Sequence, residues 1–164
     1  MSKKFTNADT YSASADQMWA MICDHAYWDS KYETLGATNV EWLTFNASDT
    51  ALTVSSTREV DANLPSAAKK IIGETAVVTQ TEEWTRSGSA CNCTISIATK
   101  GAPGGTEGTM TIKSDGDTSI WTADFDIKVS IPLLGKKLES IMHEETANNF
   151  VKEKSFNDEW LASH

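Results

Sequence analysis

The stretch Ile120-Trp121-Thr122-Ala123-Asp124-Phe125-Asp126-Ile127-Lys128-Val129-Ser130-Ile131 decides how this chain folds. Trp121, Ala123, Phe125, Ile127, Val129 and Ile131 share one parity, and Thr122, Asp124, Asp126, Lys128 and Ser130 share the other. Such alternation describes a strand with one apolar and one solvated face, as in an antiparallel sheet. Pro132 has no N–H to donate and ends the ladder. From about Gly135 the period changes to 3.6. Leu134, Leu138, Ile141, Met142, Phe156 and Trp160 fall on one stripe of a helix of roughly 27 residues, about 40 Å long. Glu145 and Asn149 point the same way as Leu138 and Met142, yet they are polar. Either this helix spans a cavity at its middle, or these two side chains reach water at the edge of the stripe.

Upstream, Lys4 to Ser12 reads as a short first strand. Ser14-Ala15-Asp16-Gln17 has the form of a capping box, opening a helix with Met18, Trp19, Met21 and Ile22. A second short helix runs from about His25 to Leu35, holds Tyr27, Trp28 and Tyr32, and ends at Gly36. Strands follow at Thr38–Phe45, with a bulge expected between Trp42 and Leu43, and at Ala51–Val60, where Leu52, Val54, Ser56 and Arg58 share a face. Asp61 to Gly73 breaks the pattern, with a turn at Asn63-Leu64-Pro65 and two helical turns before Gly73. It is either a lid or a cover over one end of the sheet. Further strands are expected at Glu74–Thr85 (Ala76, Val78, Gln80, Glu82, Trp84 on one parity), Ala90–Thr99 (Cys91, Cys93, Ile95, Ile97 inward) and Thr106–Lys113 (Gly108, Met110, Ile112 inward). Gly101–Gly105 reads as a turn, and Ser114–Asp117 as a hairpin. Six consecutive strands with short turns form a meander, and the first strand can join the last. The result is an α+β chain: a seven-stranded curled antiparallel sheet wrapped around a long C-terminal helix, with two short helices after the first strand.

Composition bounds the function. With 164 residues the chain is read as one domain over 1–164, large enough to bury a substantial core. A net charge of −9 and a pI near 4.7 disfavour nucleic acid and anionic membranes. Lys69-Lys70 and Lys136-Lys137 are only doublets. No apolar run approaches the roughly 20 residues of a membrane span, so membrane insertion is not expected, nor is a secretory signal. Three cysteines, Cys23, Cys91 and Cys93, fit free thiols in a reducing cytoplasm. No ligand set for a metal is completed around them, and no phosphate-cradling glycine loop or catalytic triad spacing is present. Neither cofactor nor metal is expected, and a homodimer is compatible with the sequence.

The order of elements, with Gln17-Met18-Trp19 in the first helix, Thr81-Glu82-Glu83-Trp84 in the middle strand and Val129-Ser130-Ile131-Pro132-Leu133-Leu134-Gly135 before the last helix, resembles the START-like (SRPBCC, helix-grip, polyketide-cyclase-like) superfamily. It is nearest a bacterial branch known only as a domain of unknown function. The resemblance spans about residues 4 to 162. It implies a hydrophobic cavity between sheet and helix, in a superfamily that binds lipids and other small apolar molecules and includes cyclases and dehydratases. It carries over no catalytic residue.

Inward parity itself nominates the site. Arg58, Gln80, Glu82, Glu145 and Asn149 are polar on otherwise apolar faces, and Trp84, Ile95, Met110, Phe125 and Met142 would wall the cavity around them. Arg58 could hold a carboxylate. Glu82 or Glu145, if desolvated, could serve as general acid or base. Against this, Arg58 and Glu82 could simply pair across the sheet. Three functions are compatible with the pattern: binding, transport or sequestration of a hydrophobic or amphipathic molecule; a cyclase- or dehydratase-type enzyme; and a protein-interaction module with an apolar patch near Leu64, Ile71 and Ile72.

Overall fold

The computed structural model describes residues 2–61 and 64–164. Asn63, read above as opening a turn, lies outside them. Along the chain run β1 (Lys3–Tyr11), α1 (Ala15–Ile22), α2 (His25–Thr34), β2 (Thr38–Ala47), β3 (Ala51–Val60), α3 (Ser66–Ile72), β4 (Ala76–Ser87), β5 (Ala90–Thr99), β6 (Ala102–Asp115), β7 (Thr118–Val129) and α4 (Gly135–Ser163). The strands form one antiparallel sheet in the order β1-β7-β6-β5-β4-β3-β2. The first strand does join the last, with Phe5 opposite Phe125.

Local chemistry sets the element ends. The capping box forms: Gln17 N–H donates to Ser14 Oγ, and Ser14 N–H donates to Gln17 Oε1. Asp24 caps α2 through Ala26 N–H, and Gly36 stops it in the left-handed region at φ 82°. The β2–β3 register slips between Trp42 and Thr44, so the expected bulge throws Leu43 outward. The segment 101–105 is not a turn alone, because β6 already begins at Ala102. Gly104 and Gly105 take positive φ inside the strand, where a Cβ would lie 2.3 and 2.4 Å from neighbouring carbonyl oxygens. Backbone crowding there demands glycine.

Inside the curl lies the core: Phe5, Tyr11, Met18, Trp19, Ile22, Tyr27, Trp28, Leu52, Trp84, Ile112, Phe125 and Ile127 are all buried. A smaller cluster closes the end of the sheet where α3 sits. There Ala68, Leu64 and Ile72 pack on Val129, Ile131 and Leu138. Residues 64–72 therefore cover that end of the sheet. Leu64 and Ile72 are partly buried in it, so the suggested patch around them reduces to Ile71.

The last helix makes its principal contacts with β7, β1, α2 and α1, leaving the β3–β5 side of the sheet less covered. Its fully buried residues are Leu138, Glu139 and Asn157, so two of three are polar. Val129 N–H donates to Glu139 Oε2 at 2.9 Å. Tyr27 Oη–H donates to Asn157 Oδ1 at 2.7 Å, and Asn157 Nδ2–H donates to Tyr11 Oη at 3.1 Å. The inward direction of α4 is thus about 70° round from Leu138, given about 100° per residue. His143 accordingly faces the sheet, edge-on to Phe5 at 5.4 Å between ring centres.

Replacing Asn157 by Leu would leave two buried tyrosine hydroxyls without their partner, at about 1–3 kcal/mol each. Urea unfolding should show Asn157→Leu destabilised by roughly 2–4 kcal/mol, although leucine is the more apolar residue. An unchanged midpoint would show that the bridge does not hold α4.

Candidate functional site

Where the middle of α4 crosses the sheet, side chains leave a cavity of about 80 Å³. Its floor is apolar and comes from alternate residues of adjacent strands: Ile95 and Ile97 of β5, Met110 of β6, Trp121 and Phe125 of β7. Thr146, Asn149, Phe150 and Glu153 of α4 roof it, and Lys31, Tyr32 and Leu35 from α2 and its end close one side. The remaining wall is polar, made by Arg58, Gln80 and Glu82.

Those three side chains form one hydrogen-bonded row. Arg58 Nη2–H donates to Gln80 Oε1 at 2.8 Å, Gln80 Nε2–H donates to Glu82 Oε2 at 2.6 Å, and Trp84 Nε1–H donates to Glu82 Oε1 at 3.0 Å. Strand periodicity produces the row, since residues two apart point to one face, and β3–β4 pairing sets Arg58 opposite Val78 beside it. Arg58 and Glu82 are therefore not directly paired; Gln80 stands between them. The guanidinium lies over the Tyr32 ring at 4.4 Å. Its Nη1 is buried and has no hydrogen-bond partner among the described residues. A buried guanidinium N–H without an acceptor costs about 1–3 kcal/mol.

A second charged pair joins the helices across the rim. Lys31 Nζ lies 3.3 Å from Glu153 Oε1, and Lys31 is only 3% exposed. The ammonium stands 4.0 Å from the centre of the Trp28 ring and 5.0 Å from that of Tyr27. Burial by itself would lower its pKa, but Tyr27, Glu153, Glu82 and Tyr32 outweigh it and the net shift is upward. Lys31 is held as a cation. Burial raises the Glu82 carboxyl above its ordinary value, opposed by Lys31 and by the bonds from Trp84 and Gln80. Tyr32 is likewise raised by burial, against Arg58 and Lys31.

Of the ten residues that the sequence nominates, Arg58, Gln80, Glu82, Ile95, Met110, Phe125 and Asn149 meet at this cavity. Trp84 is buried behind the wall as the donor to Glu82. Met142 packs between the two apolar clusters and does not line the cavity. Glu145 is half-buried and also lies off the lining, because it sits about 90° round the helix from the inward direction. Lys31, Glu153 and Thr146 went unrecognised. For Lys31 the signal was available: it falls three and four residues after Trp28 and Tyr27, on one face of α2.

The three thiols are free. Burial pushes Cys23 up to about 11 and raises Cys91 and Cys93 as well, the opposite of what a nucleophilic cysteine requires. Among the described residues no group of three or more His, Cys, Asp or Glu side chains is placed to hold a metal ion. No described helix is long and apolar enough to cross a membrane.

Comparison with known proteins agrees with this geometry at the level of fold. The profile of a family described as "Protein of unknown function (DUF2505)" matches residues 6–161. A search of curated proteins finds no match. Among solved structures, the Zhui aromatase/cyclase from Streptomyces sp. R1128 superposes with a TM-score of 0.65 at 13% identity, covering 99% of this chain and 94% of that one. A START superfamily protein from Mycobacterium smegmatis gives 0.57 at 13% identity, covering 98% and 97%. Norcoclaurine synthase from Thalictrum flavum, in complex with dopamine and hydroxybenzaldehyde, gives 0.56 at 12% identity, covering 100% and 88%. Identities this low establish the helix-grip fold alone.

Glu82 should leave a mark on stability. A carboxyl whose folded pKa exceeds its unfolded value binds more protons in the folded state between the two values. Stability therefore falls as pH rises through that interval. Glu82→Gln cannot ionise and lacks this contribution. In urea titrations from about pH 4 to 8, spanning the ordinary Glu value and above, the wild type should lose stability relative to Glu82→Gln as pH rises. A pH-independent difference would show that Glu82 is not a strained buried carboxyl.

Proposed function

Because the chain belongs to the DUF2505 family of proteins of unknown function, its role has to be read from the cavity, and we propose that it binds a small amphipathic molecule carrying an acidic group. The observation that carries this reading is the unpartnered, buried Nη1 of Arg58 on the wall of a cavity whose floor is apolar. A carboxylate or acidic phenol placed there would supply the missing acceptor through a charge-assisted bond. Its apolar body would lie against Ile95, Ile97, Met110 and Phe125. One solved structure of similar fold, norcoclaurine synthase, is in complex with dopamine and hydroxybenzaldehyde; that supports the reading by analogy.

Size restricts the ligand. A volume of about 80 Å³ is below the roughly 300–1,000 Å³ of ordinary small-molecule sites. A ligand larger than a short chain must displace Phe150 from Phe5 and Phe125 or lift the middle of α4. The Lys31–Glu153 pair bridges α2 and α4 at this rim and would have to yield or adapt. Holding such a molecule for transport or sequestration fits the arrangement without further chemistry.

A second reading, an acid–base enzyme of the cyclase type, is favoured by one observation: Glu82 presents a buried carboxyl of raised pKa to the same cavity. On that reading Glu82→Gln would abolish turnover while keeping the ligand.

Native mass spectrometry of protein mixed with a cell extract tests the binding reading. The wild type should acquire an acidic small-molecule adduct. Arg58→Met should lose at least about tenfold in occupancy, as expected for a hydrogen bond to a charged group. Equal adducts on both proteins, or none on either, would contradict it.

A further inference from the structure

The lysine doublets that look isolated in the sequence are brought together by the fold. The end of the sheet covered by α3 is built from Asp61 and residues 64–74, 99–104 and 128–139. Ala68 packs on Val129 and Leu138, and a Cβ on Gly101 would sit 3.0 Å from the carbonyl oxygen of Ile71. Lys69, Lys70, Lys100, Lys128, Lys136 and Lys137 all belong to these segments, against three acids, Asp61, Glu74 and Glu139. Glu139 is buried and accepts the N–H of Val129, and Glu74 pairs with Lys69 at 3.5 Å. The other five lysines have no ion-pair partner among the described residues. This end is thus net positive on a chain of net charge −9.

An aliphatic tip projects from the same place. Leu133 is fully exposed, at 105%, beside exposed Pro132, and Ile71 is exposed at 48%. Leu133 also adopts φ 69°, a left-handed conformation that glycine takes freely and leucine does not. An unfavourable backbone thus holds an apolar side chain out into solvent, among lysines.

We propose that this end docks on an anionic lipid surface, with Leu133 entering the headgroup boundary and the lysines facing lipid phosphates and carboxylates. Two features favour a membrane over an acidic protein. A single projecting aliphatic side chain needs a receiving pocket on a protein partner, whereas a bilayer accepts it anywhere along its surface. The remaining contribution is long-range charge, which a lipid surface supplies without shape matching. The dock is peripheral and weak, since one leucine and a handful of lysines bury little area. Arg58 and Ile97 lie toward this end of β3 and β5, so docking would bring the cavity close to the bilayer.

Co-sedimentation with phosphatidylcholine vesicles, with and without phosphatidylserine, tests the proposal. The full chain should sediment with the anionic vesicles at low salt, be released at high salt, and ignore pure phosphatidylcholine. Reversing Lys136 and Lys137 together (Lys136→Glu, Lys137→Glu) should weaken binding more than tenfold, at about fivefold per lysine. Leu133→Asp should weaken it as well. Leu133→Gly separates docking from folding: it should raise the melting temperature by about 2–4 °C as the strained leucine is relieved, and yet bind vesicles less. Arg58→Met should bind vesicles like the wild type, so that failure here is distinct from failure of the cavity reading. No sedimentation with anionic vesicles, equal sedimentation with both kinds, or variants that bind as the wild type does would each overturn the proposal.

Discussion

The structure depends on how α4 is fixed to the sheet. A long helix clasped by a curled sheet would ordinarily be held by a broad apolar stripe. Here the apolar residues on the inward side of α4, Leu138, Met142, Phe150 and Trp160, are interrupted by Glu139, Thr146, Asn149, Glu153 and Asn157. Directed bonds reinforce that packing near the two ends. Glu139 takes a strand N–H at one, and Asn157 bridges Tyr27 and Tyr11 at the other, beside Phe156 and Trp160 on the Tyr27 ring. Such bonds are strong when satisfied and costly when broken. They hold the ends of the helix, while its middle rests on Phe150 against Phe5 and Phe125 and on the Lys31–Glu153 pair.

The cavity follows from that arrangement. Between its anchors α4 spans a gap over β3–β5, and the groups around the gap are charged: Arg58, Glu82, Lys31 and Glu153. Buried charges survive only when paired or hydrogen-bonded. Lys31 meets this condition through Glu153 and the aromatic faces of α2, and Glu82 through Gln80 and Trp84. Arg58 meets it only in part. Its Nη1 is the one guanidinium nitrogen on which the proposed anion binding rests. The space is small, about 80 Å³, and one of its walls is polar.

Much of the fold is legible in the sequence, because it rests on local periodicity. The alternation of β7, the Ser14–Gln17 box, the slip at Trp42–Leu43 and the inward parity of Arg58, Gln80 and Glu82 each need only neighbours along the chain. The losses occur where tertiary placement decides. Reading α4 by its apolar residues chose the Leu138–Met142 direction, whereas the polar residues mark the true inner face. That one rotation puts Glu145 at the cavity and hides Glu153. Lys31 was passed over because a lysine in a short helix is ordinarily solvated, and nothing local announces that Glu153 will meet it. Nor does any local pattern reveal that Lys69-Lys70 and Lys136-Lys137, far apart in sequence, share one end of the molecule.

A crystal structure of protein purified from cells without unfolding tests the central claim most directly. The account predicts electron density for an acidic group within hydrogen-bonding distance of Arg58 Nη1, with an apolar body over Met110 and Phe125. The segment around Phe150 should then move outward from the sheet while the bonds of Glu139 and Asn157 stay in place. A cavity filled by protein side chains, with Arg58 Nη1 paired to one of them and no room for a ligand, would contradict it.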